Sequence, residues 1–274
     1  MSVVTTPAVL LRSFNYSETS RVLRLYTLDL GLVGVMAKGI RKGGGQGRNG
    51  LETFSQGDLT LYVRPTRDLQ TFKEFSLRES GRGLGRDVLR FAAASVLAEL
   101  VLVHAGSEPS PLVFQRLTTG LSRIGQAERD EVLAVLMNEG WMLVAALGYQ
   151  PQLDPCVECG NALLDSDLGR FDFAAGGVRC PNCAVDIAGP LIGPGARAQL
   201  GALIEGPTDL PITKPKAHLQ LLHDFTVYHV SESKALQSFR FLASVARLDV
   251  DTEAEGPAEG LASAGTEKSG QEES

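Results

Sequence analysis

Most signatures of an enzyme or a membrane protein are missing from this 274-residue chain. It contains no Gly-x-x-x-x-Gly-Lys-Ser/Thr phosphate loop, which argues against ATP hydrolysis, and no Gly-x-Ser-x-Gly elbow or His-Glu-x-x-His helix. Only 4 histidines are present, and none has Glu two residues further on. Pro155-Cys156-Val157-Glu158-Cys159 therefore completes only half of a zinc-deaminase signature, and that chemistry is excluded. His218, His223 and His229 lie in one helical stretch at spacings of five and six, which put no pair on a common turn to hold a metal. Long apolar runs are absent too. Residues 91–103, the longest, are interrupted by Glu99 and fall short of the roughly 20 that span a bilayer. Met1 to Leu11 has no basic flank leading into an apolar run and a cleavage site, so the expected address is cytoplasmic, with no membrane partner. No internal repeat is visible, and no enzymatic activity is expected.

What is present is 43% apolar residues, enough for a sizeable core, and a net charge of −6 that is unevenly spread. Residues 1–90 carry 14 Lys/Arg against 8 Asp/Glu, whereas residues 249–274 carry 1 against 8. The overall acidity thus conceals a basic amino-terminal region.

Residues 1–80 read as a β unit, with strands predicted at 5–12, 21–28, 32–38, 58–63 and 69–77 between turn-forming clusters. Between the third and fourth strands, residues 39–50 are glycine-rich and basic, and predict a mobile loop. From Gly85 the period changes. Helices are predicted at 86–104, 111–124, 129–147, 195–204, 215–230 and 234–247, and Gly81-Arg82-Gly83-Leu84-Gly85 reads as an interdomain linker. These elements suggest a division into 1–80, 81–150, 151–190, 191–248 and 249–274. The last of these lacks aromatic residues and predicts a disordered acidic tail, a solubilising segment in preference to a shield for the basic face.

All 4 cysteines fall in two knuckles, Cys156-Val157-Glu158-Cys159 and Cys180-Pro181-Asn182-Cys183, separated by 20 residues. That spacing offers four thiolates tetrahedrally to one structural zinc ion and leaves no open position for catalysis. Disulfides would need an oxidising compartment, and a redox pair would not need a second pair. With Asp165-Ser166-Asp167-Leu168-Gly169 as a hairpin tip between Leu163-Leu164 and Arg170-Phe171-Asp172-Phe173, the segment reads as a four-cysteine zinc ribbon inserted into the helical domain.

A five-stranded β unit with basic loops suggests an OB-fold β-barrel, which meets nucleic acid through strands two and three and the loops after strands one and four. Candidate DNA-binding residues are Arg12, Arg21, Arg24, Lys38, Arg41, Lys42, Arg48, Arg64 and Arg67. Clustering beside glycines favours phosphate contact for Lys38, Arg41, Lys42 and Arg48. Of the interleaved aromatics, Tyr26 and Tyr62 read as core, and Phe14 and Tyr16 as packing or turn residues ahead of base stacking.

Four segments then carry a resemblance to the RecO family of bacterial recombination mediators. They are Val9-Leu10-Leu11-Arg12 running to Thr27, Gly31 and Ala37-Lys38-Gly39; Leu147-Gly148-Tyr149-Gln150-Pro151-Gln152-Leu153-Asp154; the cysteine pairs; and Leu222-His223 through His229 to Lys234-Ala235-Leu236-Gln237-Ser238-Phe239-Arg240-Phe241-Leu242. The resemblance implies an α+β multidomain chain with an amino-terminal OB-fold, a helical domain and a zinc module. It implies a nucleoid-associated protein that binds single- and double-stranded DNA and anneals complementary strands. With RecR, such a protein helps RecA replace single-strand-binding protein (SSB), whose carboxy-terminal tail it meets, in the RecF pathway. A zinc-ribbon protein that handles RNA is the principal alternative; a nuclease with a scattered site and a protein-only scaffold are weaker ones.

Overall fold

The computed structural model describes residues 2–40, 51–104, 108–206, 212–231 and 235–247. The glycine-rich stretch 41–50 and the acidic tail 249–274 lie outside them.

Five strands open the chain: β1 (Ser2–Asn15), β2 (Arg21–Thr27), β3 (Gly31–Ala37), β4 (Gln56–Val63) and β5 (Leu69–Glu79). Their order is β1-β2-β3-β5-β4, and β1 pairs antiparallel with both β2 and β4, so the order returns on itself. Strand alternation sorts the side chains. Ala8, Leu10, Leu23, Leu25, Val35, Leu59, Leu61 and Phe75 fill one core, each buried leucine contributing on the order of 2 kcal/mol. Val9 and Tyr26, at alternate positions, face the helices instead, where Tyr26 stacks on Phe114 with ring centroids 6.5 Å apart.

The passage from sheet to helices is pinned. A Cβ at Gly81 would sit 2.1 Å from the Thr53 carbonyl oxygen, so only glycine fits, and the Gly81 N–H donates to Ser55 Oγ at 3.0 Å. Next come α1 (Arg82–Arg86), α2 (Val88–His104), α3 (Pro111–Gln126) and α4 (Val132–Ala146). Asp87 Oδ1 accepts the Leu89 and Arg90 N–H groups where α2 begins, and Ser110 caps α3 with Pro111 in its first turn. α2 buries nine residues and is the spine against which α3 and α4 pack. Later in the chain α5 (Pro194–Glu205) and α6 (Pro215–His229) pack on α4, and α7 (Gln237–Ala246) packs on α2. Glu99, which breaks the apolar run of α2, accepts the Gln237 and Ser238 N–H groups and so caps α7. No described helix is long and apolar enough to cross a membrane.

Between α4 and α5 lie β6 (Gly169–Asp172), β7 (Gly177–Arg179) and β8 (Leu191–Ile192), in the order β7-β6-β8. The expected fold class, an α+β multidomain chain with an OB-fold β-barrel, a helical domain and an inserted four-cysteine zinc ribbon, is corrected by these elements. What the structure supports is an α+β fold with a mixed five-stranded sheet and a helical region. The sheet is mixed because β3 meets β5 in parallel, through only 34–36 against 69–71. The ribbon fails on its hairpin: Leu163 and Leu164 are in no strand, and the reversal between β6 and β7 falls at 173–176, not at 165–169. Nor is the segment separate from the helical core. Phe171, Val178 and Leu163 belong to the same buried cluster as α2 and α4, and Phe171 packs on Phe225 of α6 at 6.0 Å.

One polar network crosses that core. Asn138 Nδ2 donates to the Leu203 and Gly206 carbonyls at 2.8 and 2.6 Å, tying α4 to the end of α5, and Arg123 pairs with the buried Glu139 and donates to Asn138 Oδ1. Removing one partner strands a buried charge. Arg123→Met is expected to lower unfolding stability in urea by about 3 kcal/mol, and Glu139→Gln in the same background should restore part of it.

Candidate nucleic-acid interface and cysteine cluster

Strict alternation along β1 would send Arg12 inward, to the side of Leu10. A bulge between Leu10 and Arg12 prevents this: Leu11 stays buried against the helices and Arg12 comes to the outer surface. Arg12 then lies directly opposite Arg24, which lies opposite Gly34, which in turn pairs with Leu69. A Cβ at Gly34 would stand 2.8 Å from Leu69 Cδ2 and 3.3 Å from Arg24 Nη1, so the guanidinium reaches over a position without a side chain. The adjoining row is Phe14, Val22, Met36 and Thr71. Two rows on one face therefore present cations beside partly exposed apolar groups: Phe14 is 46% and Leu69 38% exposed. Tyr16, 69% exposed, stands beyond them in the β1–β2 connection.

The remaining candidates border this face. Arg21 opens β2 opposite Asn15 and Ala37, next to the exposed Lys38. Arg64 and Arg67 are exposed in the β4–β5 turn, which the Gln70 side chain locks by accepting the Arg64 N–H at 2.7 Å and donating to the Arg64 and Arg67 carbonyls. Arg41, Lys42 and Arg48 lie outside the described residues.

Charge pairing divides the arginines. Arg78, Arg82, Arg123, Arg129 and Arg179 each hold a carboxylate, and none of them is a sequence candidate. Among the described residues, no carboxylate pairs with Arg12, Arg21, Arg24, Lys38 or Arg67. Phe14 and Tyr16, read as packing or turn residues ahead of base stacking, pack on no other ring among the described residues, and Met36 and Leu69, which the sequence did not single out, lie on the same face. The available signal was Ala8-Val9-Leu10-Leu11, four consecutive buried residues in a strand whose alternation should have exposed half of them. Tyr26 is core, as read.

The four cysteines converge. All four Sγ atoms lie within 4.8 Å of one another, with Cys159 and Cys180 at 3.9 Å. Four thiolates about 2.3 Å from a tetrahedral metal stand roughly 3.8 Å apart, so the donor set fits a zinc-sized ion. Burial pushes the Cys156 thiol up, but the N–H groups of Cys159, Cys180 and Glu158 outweigh it and bring it down to about 6. Cys183, hydrogen-bonded to Cys180 and Cys159, partly desolvated and repelled by both, is pushed up to about 12. A divalent cation held among the four sulfurs would relieve that repulsion. The histidines stand apart: burial holds His218 and His229 below the usual histidine value, as befits core residues.

Like charges directly opposite one another in a sheet are destabilising. Arg24→Gln is expected to raise urea stability by about 0.5 kcal/mol at low salt, a gain that shrinks as salt screens the pair.

Comparison with known proteins identifies the family. The family model described as recombination protein O N terminal matches residues 1–80, and that described as recombination protein O C terminal matches residues 85–232. The DNA repair protein RecO of Desulfatibacillum aliphaticivorans is 30% identical over 260 residues, covering 90% of this chain and 99% of its own. That of Rubrobacter xylanophilus is 35% identical over 186 residues, 68% of this chain and 73% of the relative. That of Nocardioides is 32% identical over 217 residues, covering 77% and 85%. A family match over more than half the chain, joined to relatives aligned over most of their length, means that this chain belongs to the RecO family of recombination proteins.

Proposed function

We propose that the outer face of β1, β2 and β3 grips the sugar-phosphate backbone of DNA and brings complementary strands together. Family membership itself makes the chain a non-catalytic recombination mediator that acts with RecR and RecA in DNA repair. The observation that carries the finer reading is Arg12 standing opposite Arg24, neither of them paired with a carboxylate among the described residues.

Two arginines held side by side repel, and a phosphate between them turns that repulsion into attraction on both sides. Arg21, Lys38, Arg64 and Arg67 extend the contact, with Arg41, Lys42 and Arg48 assigned to the same role. Phe14 and Tyr16 offer ring faces to unstacked bases, which suits single strands. Neutralising phosphates on two strands at once lowers their mutual repulsion, so pairing proceeds without fuel. Residues 1–80 form the nucleic-acid unit in this reading. Residues 81–150 and 191–248 form the helical part, 151–190 the cysteine segment and 249–274 the acidic tail. RecR, the SSB tail and, functionally, RecA are the protein partners.

Zinc is the ion proposed for Cys156, Cys159, Cys180 and Cys183, with a structural role: it joins the two knuckles covalently through its ligands. A Cys159→Ser chain, altered at the exposed cysteine, is expected to hold less than one zinc per molecule by elemental analysis and to be cut faster by trypsin at Arg170 and Arg179.

With about six phosphates contacted, affinity should fall roughly a thousandfold or more between 50 and 200 mM salt. The test is strand annealing, with and without SSB, by the parent chain and by Arg12→Ala/Arg24→Ala. Loss of annealing together with a shallower salt dependence is expected; unchanged annealing and binding at low salt would sink the assignment.

A further inference from the structure

We infer that the cleft between the sheet and α1 is a second phosphate-binding site, through which a bound DNA strand passes from the sheet onto the helical region. The inference rests on the outer-face reading above and extends it beyond residue 80.

The cleft has a volume of about 650 Å³, within the range of roughly 300–1,000 Å³ typical of ligand sites. Arg21 comes to it from the sheet, and Arg82 and Arg86 from α1. Arg86 is exposed, and no carboxylate pairs with it among the described residues. Arg82 donates Nε and Nη2 to Glu52 Oε1, both at 2.9 Å, which holds it across the cleft wall. Three guanidiniums against one carboxylate leave the cleft cationic. Glu52 Oε2 is buried and has no hydrogen-bond partner among the described residues, an acceptor that the imide N–H of thymine or the amino group of another base would satisfy.

Gly83 and Gly85 point the same way. Both lie within α1, and a Cβ on either would meet nothing within 4 Å. Neither packing nor backbone geometry requires glycine there, and each costs roughly 0.5–1 kcal/mol against alanine in a helix. Bare backbone beside arginines lets a chain of phosphates approach closely. Gly85 lines the cleft.

The path to the cleft is continuous. Ser13, Thr53 and Phe91 line both it and the neighbouring groove that holds Arg12. The tight seat of Gly81 against Thr53 ties α1 to residues 53–55, which hydrogen-bond Leu10 of β1, the neighbour of β2, so Arg21 and Arg86 act as parts of one surface. A single strand, flexible and charged at every residue, fits this cationic line better than a rigid duplex does.

The experiment uses the full chain and fluorescein-labelled oligothymidylates, short and long, titrated by anisotropy over a salt series. Three variants are compared: Arg86→Ala, Gly83→Ala/Gly85→Ala, and Arg12→Ala/Arg24→Ala. Arg86→Ala is expected to weaken long-strand binding several-fold and to reduce the salt slope by about 0.7, one single-strand phosphate contact. The alanine pair is expected to bind long strands more weakly while unfolding at the same or higher urea concentration, since alanine favours the helix. A merely structural role would not give weaker binding in a more stable protein. Parent-like binding by both the Arg86 and the glycine variants, with binding lost in Arg12→Ala/Arg24→Ala, overturns the cleft and leaves the outer face standing. Parent-like binding by all three overturns the outer face and the cleft together.

Discussion

The buried surface of α2 is the contact on which the rest depends. Its nine buried residues belong to one apolar cluster that also takes in Val9, Leu11, Tyr26 and Phe54 from the sheet region, Trp141 and Leu143 from α4, Leu222 and Phe225 from α6, and Phe171 and Val178 from the cysteine segment. Because a single cluster reaches all of these, the parts keep fixed positions relative to one another. That fixity gives a row of cations on the sheet a defined relation to the helices. A chain whose parts were loosely tethered could carry the same charges but not the same geometry.

Against that apolar background the polar groups have assigned work. Glu99 breaks the hydrophobic pattern of α2 in order to cap α7, and Asn138 answers two carbonyls at the end of α5. Arg123 answers the buried Glu139. On the outer face the rule reverses, and Arg12 and Arg24 pair with no carboxylate among the described residues. A protein holding arginines opposite each other in this way stores a modest unfavourable energy in its free form, released when an anion arrives.

Much of this was legible in the sequence. The five strands follow from β-branched runs between turn clusters, the helices from uninterrupted Ala/Leu/Val stretches, and the four-sulfur cluster from two Cys-x-x-Cys pairs. What escaped depended on pairing between distant residues. The bulge that turns Arg12 outward is a property of β1 against β2, and the parallel seam at Gly34 is one of β3 against β5. The hairpin in the cysteine segment was misplaced because Asp165-Ser166-Asp167-Leu168-Gly169 has turn chemistry. The actual reversal at 173–176 is fixed by Gly176 at φ 69° and by Phe171 being drawn toward Phe225. Gly81 to Gly85 read as a linker, whereas Arg82–Arg86 form α1.

The sharing of Phe171 and Val178 with the helical core bears on how such a segment changes over evolutionary time. An appendage folded by its ion alone would be lost in one step with any ligand cysteine, whereas this one is already moored by aromatic packing. Successive replacement of the sulfurs by bulkier apolar groups is therefore open to descendants of this chain, each step retaining a foothold that the next can deepen. The packing of Phe171 on Phe173 and Phe225 thus holds the cysteine segment to the helices independently of whatever the four sulfurs bind.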